Sequence, residues 1–147
     1  GPAQRALRAG DGTVTLARES THVDALEFEQ LSERSTRESL ERAASIYRGP
    51  LLDGFVLGAE AFDDWLQSER QRLHERVALA LETLADLQAA AGSYPEAIQT
   101  ALRVLRLEPL REQAHRQLMR LYARHGRRAE ALAHYAHCAA TLQRDPR

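Results

Sequence analysis

The chain has 147 residues, of which 44% are hydrophobic and 28% are charged, with a formal net charge of -1. These values are ordinary for one globular domain with its own core. No apolar run in the sequence reaches the about 18 residues that a membrane-spanning helix needs. The single cysteine excludes an intramolecular disulfide and suits a reducing compartment, so we expect a cytoplasmic protein.

The charge is unevenly distributed along the chain. All 20 basic residues are arginine; residues 1–102 hold 10 of them against 17 acidic residues, and residues 103–147 hold 10 against 4. Such an asymmetry is typical either of an interaction face or of charge pairing between helices inside the fold. The acidic front half and the low aromatic content of 5% argue against autonomous binding to nucleic acid.

The N-terminal residues predict a short β-hairpin. Residues 1–2 are typical of a scar left by tag cleavage, and we exclude them from the fold. Strand-like runs within residues 5–17 flank a Gly-Asp-Gly turn, which is a good hairpin signal. An isolated hairpin is marginal in water, so we expect residues 3–22 to be a hairpin and linker that ends a preceding domain. The helical domain then spans residues 23–147.

Two helices are predicted next. Asp24 and Ser35 are each followed three residues later by Glu, which predicts the N-caps of two helices. Gly49-Pro50 ends the second helix. We expect the apolar loop that follows, residues 51–55, to pack against the core because its Leu and Phe side chains gain from leaving water.

A long helix is predicted after this loop. Residues 59–91 contain neither Gly nor Pro and keep apolar residues at helical spacing, although a kink near Glu75 is an alternative. Phe62 and Trp65 lie on the apolar stripe. We interpret both as core anchors under the 51–55 loop.

The stretch from Leu81 to Cys138 contains a pattern that recurs after 34 residues. Each copy is a helix, a Gly turn and a second helix, a period typical of tetratricopeptide-type repeats, whose units must stack to bury their apolar faces. The matched positions are Leu84 and Leu118, Gly92 and Gly126, Ala97 and Ala131, Ile98 and Leu132, and Ala101 and Tyr135.

The ends of the last helices are well marked. We expect Gly92 and Gly126 to take left-handed geometry at helix ends, and Pro109 to stop the helix before it. Helices are therefore predicted over about 93–108, 111–125 and 128–143. The predicted fold is all-α, with about six helices in tetratricopeptide-like hairpins and a short N-terminal β-hairpin.

No residues indicate catalysis. The chain lacks a Gly-rich phosphate loop, a nucleophile motif and a polar cleft with paired carboxylates, so we predict no enzyme activity and no cofactor. Zinc takes four ligands, and His134, His137 and Cys138 have no second Cys/His pair at ligand spacing, so we predict no metal site. We interpret Cys138 as a small inward-facing hydrophobe and His115 as a helix-interface histidine.

Five arginines near the C-terminus are the candidates for binding a partner. Three form a ridge at i, i+4 and i+8 on one predicted helix, and two follow the next turn. They are Arg116, Arg120, Arg124, Arg127 and Arg128.

The first two arginines of the ridge have a structural alternative. One repeat period before Arg116 and Arg120 lie Glu82 and Asp86. Since the first helices of successive repeats lie side by side, these arginines either pair with the preceding repeat or bind a partner. The other three lack equivalent acidic residues and are the better candidates.

Several spaced segments resemble the bacterial transcriptional activator domain, which is found in Streptomyces antibiotic regulatory proteins and in larger signalling ATPases and cyclase-like regulators. The resemblance runs from about Val23 to Leu142. The segments are Tyr47–Phe55, Phe62–Leu66 with Glu69-Arg70, Leu107–Glu112, Ala114–Met119 and Gly126–Leu132.

This resemblance implies a module for protein interaction and oligomerisation in a bacterial transcriptional regulator, docking to itself or to transcription machinery. The alternative is a regulatory adaptor in a multidomain signalling ATPase or nucleotide cyclase-type protein. Residues 5–17 resemble the closing hairpin of a winged helix, so the resemblance implies that DNA is contacted only through an upstream domain. No membrane partner is expected.

Overall fold

The computed structural model describes residues 7–10, 13–16, 24–49 and 58–144. This part of the chain contains six helices close to their predicted bounds, which confirms the all-α class. The elements are β1 (Leu7–Gly10), β2 (Thr13–Leu16), α1 (Asp24–Arg34), α2 (Arg37–Ile46), α3 (Glu60–Ala90), α4 (Tyr94–Leu107), α5 (Glu112–Arg124) and α6 (Arg128–Arg144).

Strands β1 and β2 pair antiparallel, with Leu7 opposite Leu16 and Gly10 opposite Thr13. The predicted turn includes residues 11–12, which lie outside the described residues, so the hairpin and its origin in an upstream domain stay predictions. The predicted apolar loop at residues 51–55 also lies outside them.

Neighbouring helices pack on one another along the chain. α1 packs on α2, α4 packs on both α3 and α5, and α6 packs on α5. The 31-residue α3 runs unbroken for about 45 Å at 1.5 Å per residue, and it also contacts α1, α2 and α5. None of the helices in the described ranges is both long and apolar enough to cross a membrane.

The core consists of two apolar clusters. One joins α1 and α2 to the middle of α3 and includes one residue each of α4 and α5, and the other joins the end of α3 to α4 and α5. α3 therefore contributes to both. The first cluster includes Phe28, Leu31, Ala43, Val77, Ala78, Leu81, Val104 and Ala114, and the second includes Ala89, Ala97, Ile98, Ala101, Leu118 and Leu121.

The two repeat glycines have the predicted left-handed backbone, with φ of 78° at Gly92 and 76° at Gly126. At the second turn the Gly126 N–H donates to the Ala123 carbonyl at 3.2 Å, and the Arg127 N–H donates to the Tyr122 carbonyl at 2.8 Å. These two bonds form a Schellman motif, which satisfies carbonyls that the helix end would leave unpaired.

Gly126→Val is expected to destabilise the domain by about 1–2 kcal/mol, because an L residue in left-handed geometry brings its Cβ against the following carbonyl. Apart from its chain neighbours, no atom of the described residues lies within 4 Å of the added Cβ, so the loss reports backbone strain alone. Gly126→Asn is the control, since Asn tolerates this geometry better. Chemical denaturation measures both, and an equal loss in the two variants would contradict the assignment.

The start of α2 differs from the prediction by one residue. Thr36 is the N-cap: its Oγ1 accepts from the Ser39 N–H at 3.2 Å, and Ser39 Oγ accepts from the Thr36 N–H at 3.1 Å. The predicted cap, Ser35, instead has a φ of 51° and closes α1. The two-residue link needs one residue to end the first helix and the other to begin the second.

The prediction that Trp65 anchors the core is wrong. Trp65 is 53% exposed, whereas its neighbour Leu66 is 1% exposed. The buried positions of α3 continue from Leu66 to Leu73 and Val77, and one residue turns about 100° around a helix, so Trp65 falls outside this stripe. Phe62 is half-buried and packs against the Trp65 ring, with centroids 5.6 Å apart.

The remaining structural predictions concern small residues and one helix end. Ala97 is fully buried, while Ala131, its counterpart in the second repeat, is half-buried. α4 ends at Leu107, two residues before Pro109, as the restriction that Pro places on its predecessor predicts.

Candidate functional site

Arg111 joins the start of α5 to α3. Its Nε and Nη2 donate to the two oxygens of Glu82 at 2.6 and 3.2 Å, and Nη1 and Nη2 donate to those of Glu75 at 2.9 and 3.1 Å. Nη1 also donates to Glu108 at 2.8 Å. All five N–H groups of the guanidinium are thus used, which fixes α5 against α3.

The surroundings of Arg111 shift the ionisation of the groups in this cluster. The hydrogen bonds that Arg111 donates, first to Glu82 and then to Glu75, raise the pKa of Arg111, and the same bond lowers the pKa of Glu75. The Arg111 side chain is 14% exposed and that of Glu82 is 11% exposed. We interpret the cluster as structural, since its groups already satisfy one another.

Of the two alternatives for Arg116 and Arg120, pairing with the preceding repeat is not found among the described residues. Arg116 pairs with Glu112 on its own helix, and Glu82 is taken by Arg111. Asp86 accepts a hydrogen bond from Gln117 Nε2 at 2.8 Å. The 34-residue offset identifies equivalent positions, but two neighbouring helices touch through opposite sides, so the facing residues lie at other offsets.

A groove between the end of α3 and α5 has two arginines in its wall, Arg120 and Arg124. Neither forms an ion pair within the described ranges. Gln117 also lines the groove; it is 2% exposed, and its Oε1 has no hydrogen-bond partner in the described part of the chain. The remaining lining residues are Asp86, Ala89, Ala90 and Leu121.

The arginines after the Gly126 turn differ from each other. Arg127 donates to Glu130 at 3.0 Å and lies over the Tyr122 ring, 5.0 Å from its centroid. Arg128 is exposed and forms no ion pair with another described residue. Of the five candidate arginines, Arg116 and Arg127 are therefore engaged by their own surroundings, and the other three are available to a partner.

Sequence reasoning missed a second basic surface, formed by Arg48, Arg103 and Arg106 beside Tyr47 and His74. Arg103 Nη2 donates to the Tyr47 carbonyl at 3.0 Å, and burial lowers the pKa of Arg103. Arg48 lies two residues after the end of α2, and the other two belong to α4. The one sequence feature that could have indicated this surface is the i, i+3 spacing of Arg103 and Arg106, which places both on one helix face.

α6 leaves apolar side chains uncovered. Leu132 and Tyr135 are 59% and 63% exposed, although their counterparts in the first repeat, Ile98 and Ala101, are 2% and 0% exposed. Leu142 further along α6 is also exposed. α4 is covered from both sides by α3 and α5, whereas the described contacts of α6 are with α5. The same repeat positions therefore form core in α4 and surface in α6.

Two histidines and the cysteine meet between α5 and α6. His115 Nδ1 lies 2.8 Å from His134 Nε2 and 3.1 Å from Cys138 Sγ. His115 Nε2 lies 2.6 Å from the Pro109 carbonyl oxygen. His115 is thus at a helix interface, as predicted. Sequence analysis grouped His134 and Cys138 with His137 and not with His115, because the helix that supplies His115 is distant along the chain.

Burial shifts the pKa of two members of this cluster. Burial, followed by the neighbouring His115 and His137, lowers the pKa of His134. Burial raises the pKa of the Cys138 thiol. Near neutral pH the cluster therefore consists of a neutral His134 imidazole and a protonated Cys138 thiol beside His115.

The comparisons with known proteins agree with the sequence resemblance. The family model described as bacterial transcriptional activator domain matches residues 11–145. The chain is also similar to Regulatory protein AfsR of Streptomyces coelicolor, with 38% identity over 100 residues. Those residues are 68% of this chain and 10% of that relative, so the chain spans about a tenth of the relative's length.

Proposed function

Because the chain belongs to the bacterial transcriptional activator domain family, we propose that it is a protein-interaction and oligomerisation module of a transcriptional regulator. Domains of this family are parts of transcriptional regulators. In this proposal it stacks helical hairpins in the tetratricopeptide manner and acts by surface complementarity, with no reaction and no cofactor of its own.

The observation that carries the proposal is the groove wall formed by Arg120 and Arg124. Both guanidiniums are without an ion pair among the described residues, and the buried Gln117 Oε1 beside them lacks a donor. A planar, permanently charged guanidinium suits bidentate contact with a carboxylate, and an unpaired acceptor suits a backbone N–H of a partner. An acidic peptide segment satisfies both requirements.

The exposed face of α6 supports a protein partner as well. Leu132, Tyr135 and Leu142 are each more than half exposed on one helix. Contiguous exposed apolar patches rimmed by polar residues are typical of interaction surfaces, and these three side chains lie at i, i+3 and i+10 along one helix. In the proposal the arginines set orientation and association rate, and the apolar side chains of α6 add affinity.

The proposed partner is either a second copy of the chain, through its acidic front half, or a protein of the transcription machinery. DNA contact is assigned to a winged-helix domain upstream, of which residues 3–22 are the proposed tail. The length of the relative favours a second candidate, a regulatory adaptor between other domains of one long polypeptide, since the match spans only 10% of it.

Replacing Arg120, Arg124 and Arg128 together by serine is expected to weaken partner binding about tenfold or more, because three exposed charge pairs of about 0.5–1 kcal/mol are lost. The loss is expected to shrink at high salt, which screens exposed charges. Sedimentation measures self-association of the chain, and reporter transcription measures activation by the full-length regulator.

The matched control removes three exposed arginines outside the groove that likewise form no ion pair among the described residues, Arg34, Arg48 and Arg106. Circular dichroism first checks that both variants keep the helical fold. If the first variant self-associates and activates transcription as well as the wild type at low and high salt, the groove is not a docking site. An equal loss in both variants would assign the effect to net charge.

A further inference from the structure

We propose that His115, His134 and Cys138 bind a zinc(II) ion that ties α6 to α5. Each residue offers one donor atom, and the three atoms lie within 4.8 Å of one another. His134 and Cys138 are four residues apart on α6, which places them on one helix face, and His115 comes from α5. A metal at this point would bridge two helices.

The orientation of His115 suits a metal ligand. A carbonyl oxygen only accepts hydrogen bonds, so the 2.6 Å contact with the Pro109 carbonyl places the ring proton on Nε2. In the neutral ring Nδ1 then carries a lone pair, and this atom faces His134 and Cys138. A backbone carbonyl that holds the second nitrogen is a common partner of a metal-bound histidine.

Two of the three donor separations need little change to accept zinc, and the third, between His134 and Cys138, is at most 4.8 Å. Tetrahedral zinc with bonds of about 2.0–2.1 Å to nitrogen and about 2.3 Å to sulfur separates its ligand atoms by about 3.3–3.6 Å. The separations from His115 Nδ1 are 2.8 Å to His134 Nε2 and 3.1 Å to Cys138 Sγ. A widening of about half an ångström lies within reach of small side-chain rotations.

The donor set selects the ion by its chemistry. Two imidazole nitrogens and one thiolate suit zinc, whereas magnesium, calcium and manganese prefer oxygen ligands. Structural zinc sites usually have four protein ligands; here the fold supplies three, and a water molecule takes the fourth position, as it does in zinc sites with three protein ligands. On binding, the Cys138 thiol gives its proton to solvent and its sulfur forms the bond to zinc, so one proton is released for each ion bound.

The site would strengthen a weakly held helix. None of the described residues of α6 is fully buried, so hydrophobic packing holds this helix less firmly than it holds the other five described helices. A bond network from zinc to both helices would supply cohesion that its side chains do not. The proposal is independent of the partner surface, because it concerns the α5–α6 contact.

Cobalt(II) is the probe, used with the full 147-residue chain after removal of metal by a chelator. We expect one cobalt ion per chain, with a thiolate-to-cobalt charge-transfer band and intense visible bands typical of four-coordinate geometry. Zinc is expected to displace cobalt stoichiometrically, and magnesium is expected to leave the spectrum unchanged. Absence of the charge-transfer band in the wild type would overturn the proposal.

Two variants test the ligands. Cys138→Ser is expected to abolish the charge-transfer band, and His115→Asn is expected to weaken binding more than about 100-fold, since even outer partners of a site are worth about 10–100-fold. His125→Asn is the control, because His125 stacks on Tyr94 away from the cluster. Retention of the band by Cys138→Ser would overturn the proposal.

A measurement on the wild type guards against variants that fail to fold. The rate at which iodoacetamide alkylates Cys138, the only cysteine, is compared with and without one equivalent of zinc. We expect zinc to slow alkylation at least tenfold, because the bound thiolate is no longer a free nucleophile. An unchanged rate would overturn the proposal whatever the variants do.

Discussion

Replacing Arg111 with methionine is expected to lower the free energy of unfolding by about 3–5 kcal/mol, which is the usual cost of removing one partner of a buried ion pair. The variant leaves Glu82, whose side chain is 11% exposed, without its bidentate partner. It also removes the hydrogen bonds to Glu75 and Glu108. The measurement is urea denaturation followed by circular dichroism.

The control is Arg116→Met, which breaks an exposed pair with Glu112 and is expected to cost about 0–1 kcal/mol. The double variant Arg111→Met/Glu82→Gln is expected to be less harmful than Arg111→Met, because no charge is then left buried and unpaired. If Arg111→Met stays within about 1 kcal/mol of the wild type, α5 does not depend on this cluster.

The same variant is expected to change the dependence of stability on pH. The pKa of Glu75 is lowered in the folded protein from an ordinary value of 4.5 by its bond to Arg111. A carboxyl with a depressed folded pKa stabilises the fold above its unfolded pKa and loses that contribution as pH falls through the folded pKa. Below pH 4.5 the wild type should therefore lose more stability than Arg111→Met does.

Ile98→Ala is expected to cost about 2–5 kcal/mol, and Leu132→Ala, at the same repeat position, less than about 0.5 kcal/mol. Ile98 is 2% exposed within the cluster that joins α3, α4 and α5, so its truncation leaves a cavity. Leu132 is 59% exposed on α6, so its truncation removes side chain already in water. Because the two residues occupy the same repeat position and differ in burial, comparing the two variants shows which of these properties determines the loss of stability.

Both variants are measured by thermal and urea denaturation at low protein concentration, where self-association is small. Equal losses of stability would show that Leu132 is buried in solution as Ile98 is, which would contradict the exposed face of α6. Leu132→Ala is also examined at high concentration, because a self-association surface on α6 would make its effect depend on concentration.

The helices were predictable because their ends carry local signals. Gly92, Gly126 and Pro109 act through backbone sterics, which depend on the residue itself and not on its neighbours in space. The start of α2 was missed by one residue because Ser35 and Thr36 are both capping residues. Because Ser35 is needed to end α1, Thr36 becomes the N-cap of α2.

Contacts between helices were less predictable. The repeat offset placed acidic residues of α3 near α5 correctly, yet Arg111 and Gln117 bind them rather than Arg116 and Arg120. The rotation of one helix against another decides such pairings, and a repeat period does not encode it. For the same reason the sequence did not predict that His115 lies beside His134 and Cys138. It also did not predict that Trp65 is exposed while the adjacent Leu66 is buried.

The continuity of α3 has a consequence for how the domain opens. Val77 and Leu81 belong to one core cluster and Ala89 to the other, so α3 cannot melt without releasing both. We therefore expect the two clusters to form one cooperative foldon, whose amide protons exchange with solvent only when the whole unit unfolds. α6 adds no buried described residue to this unit, so we expect its amide protons to exchange through a separate opening of lower free energy.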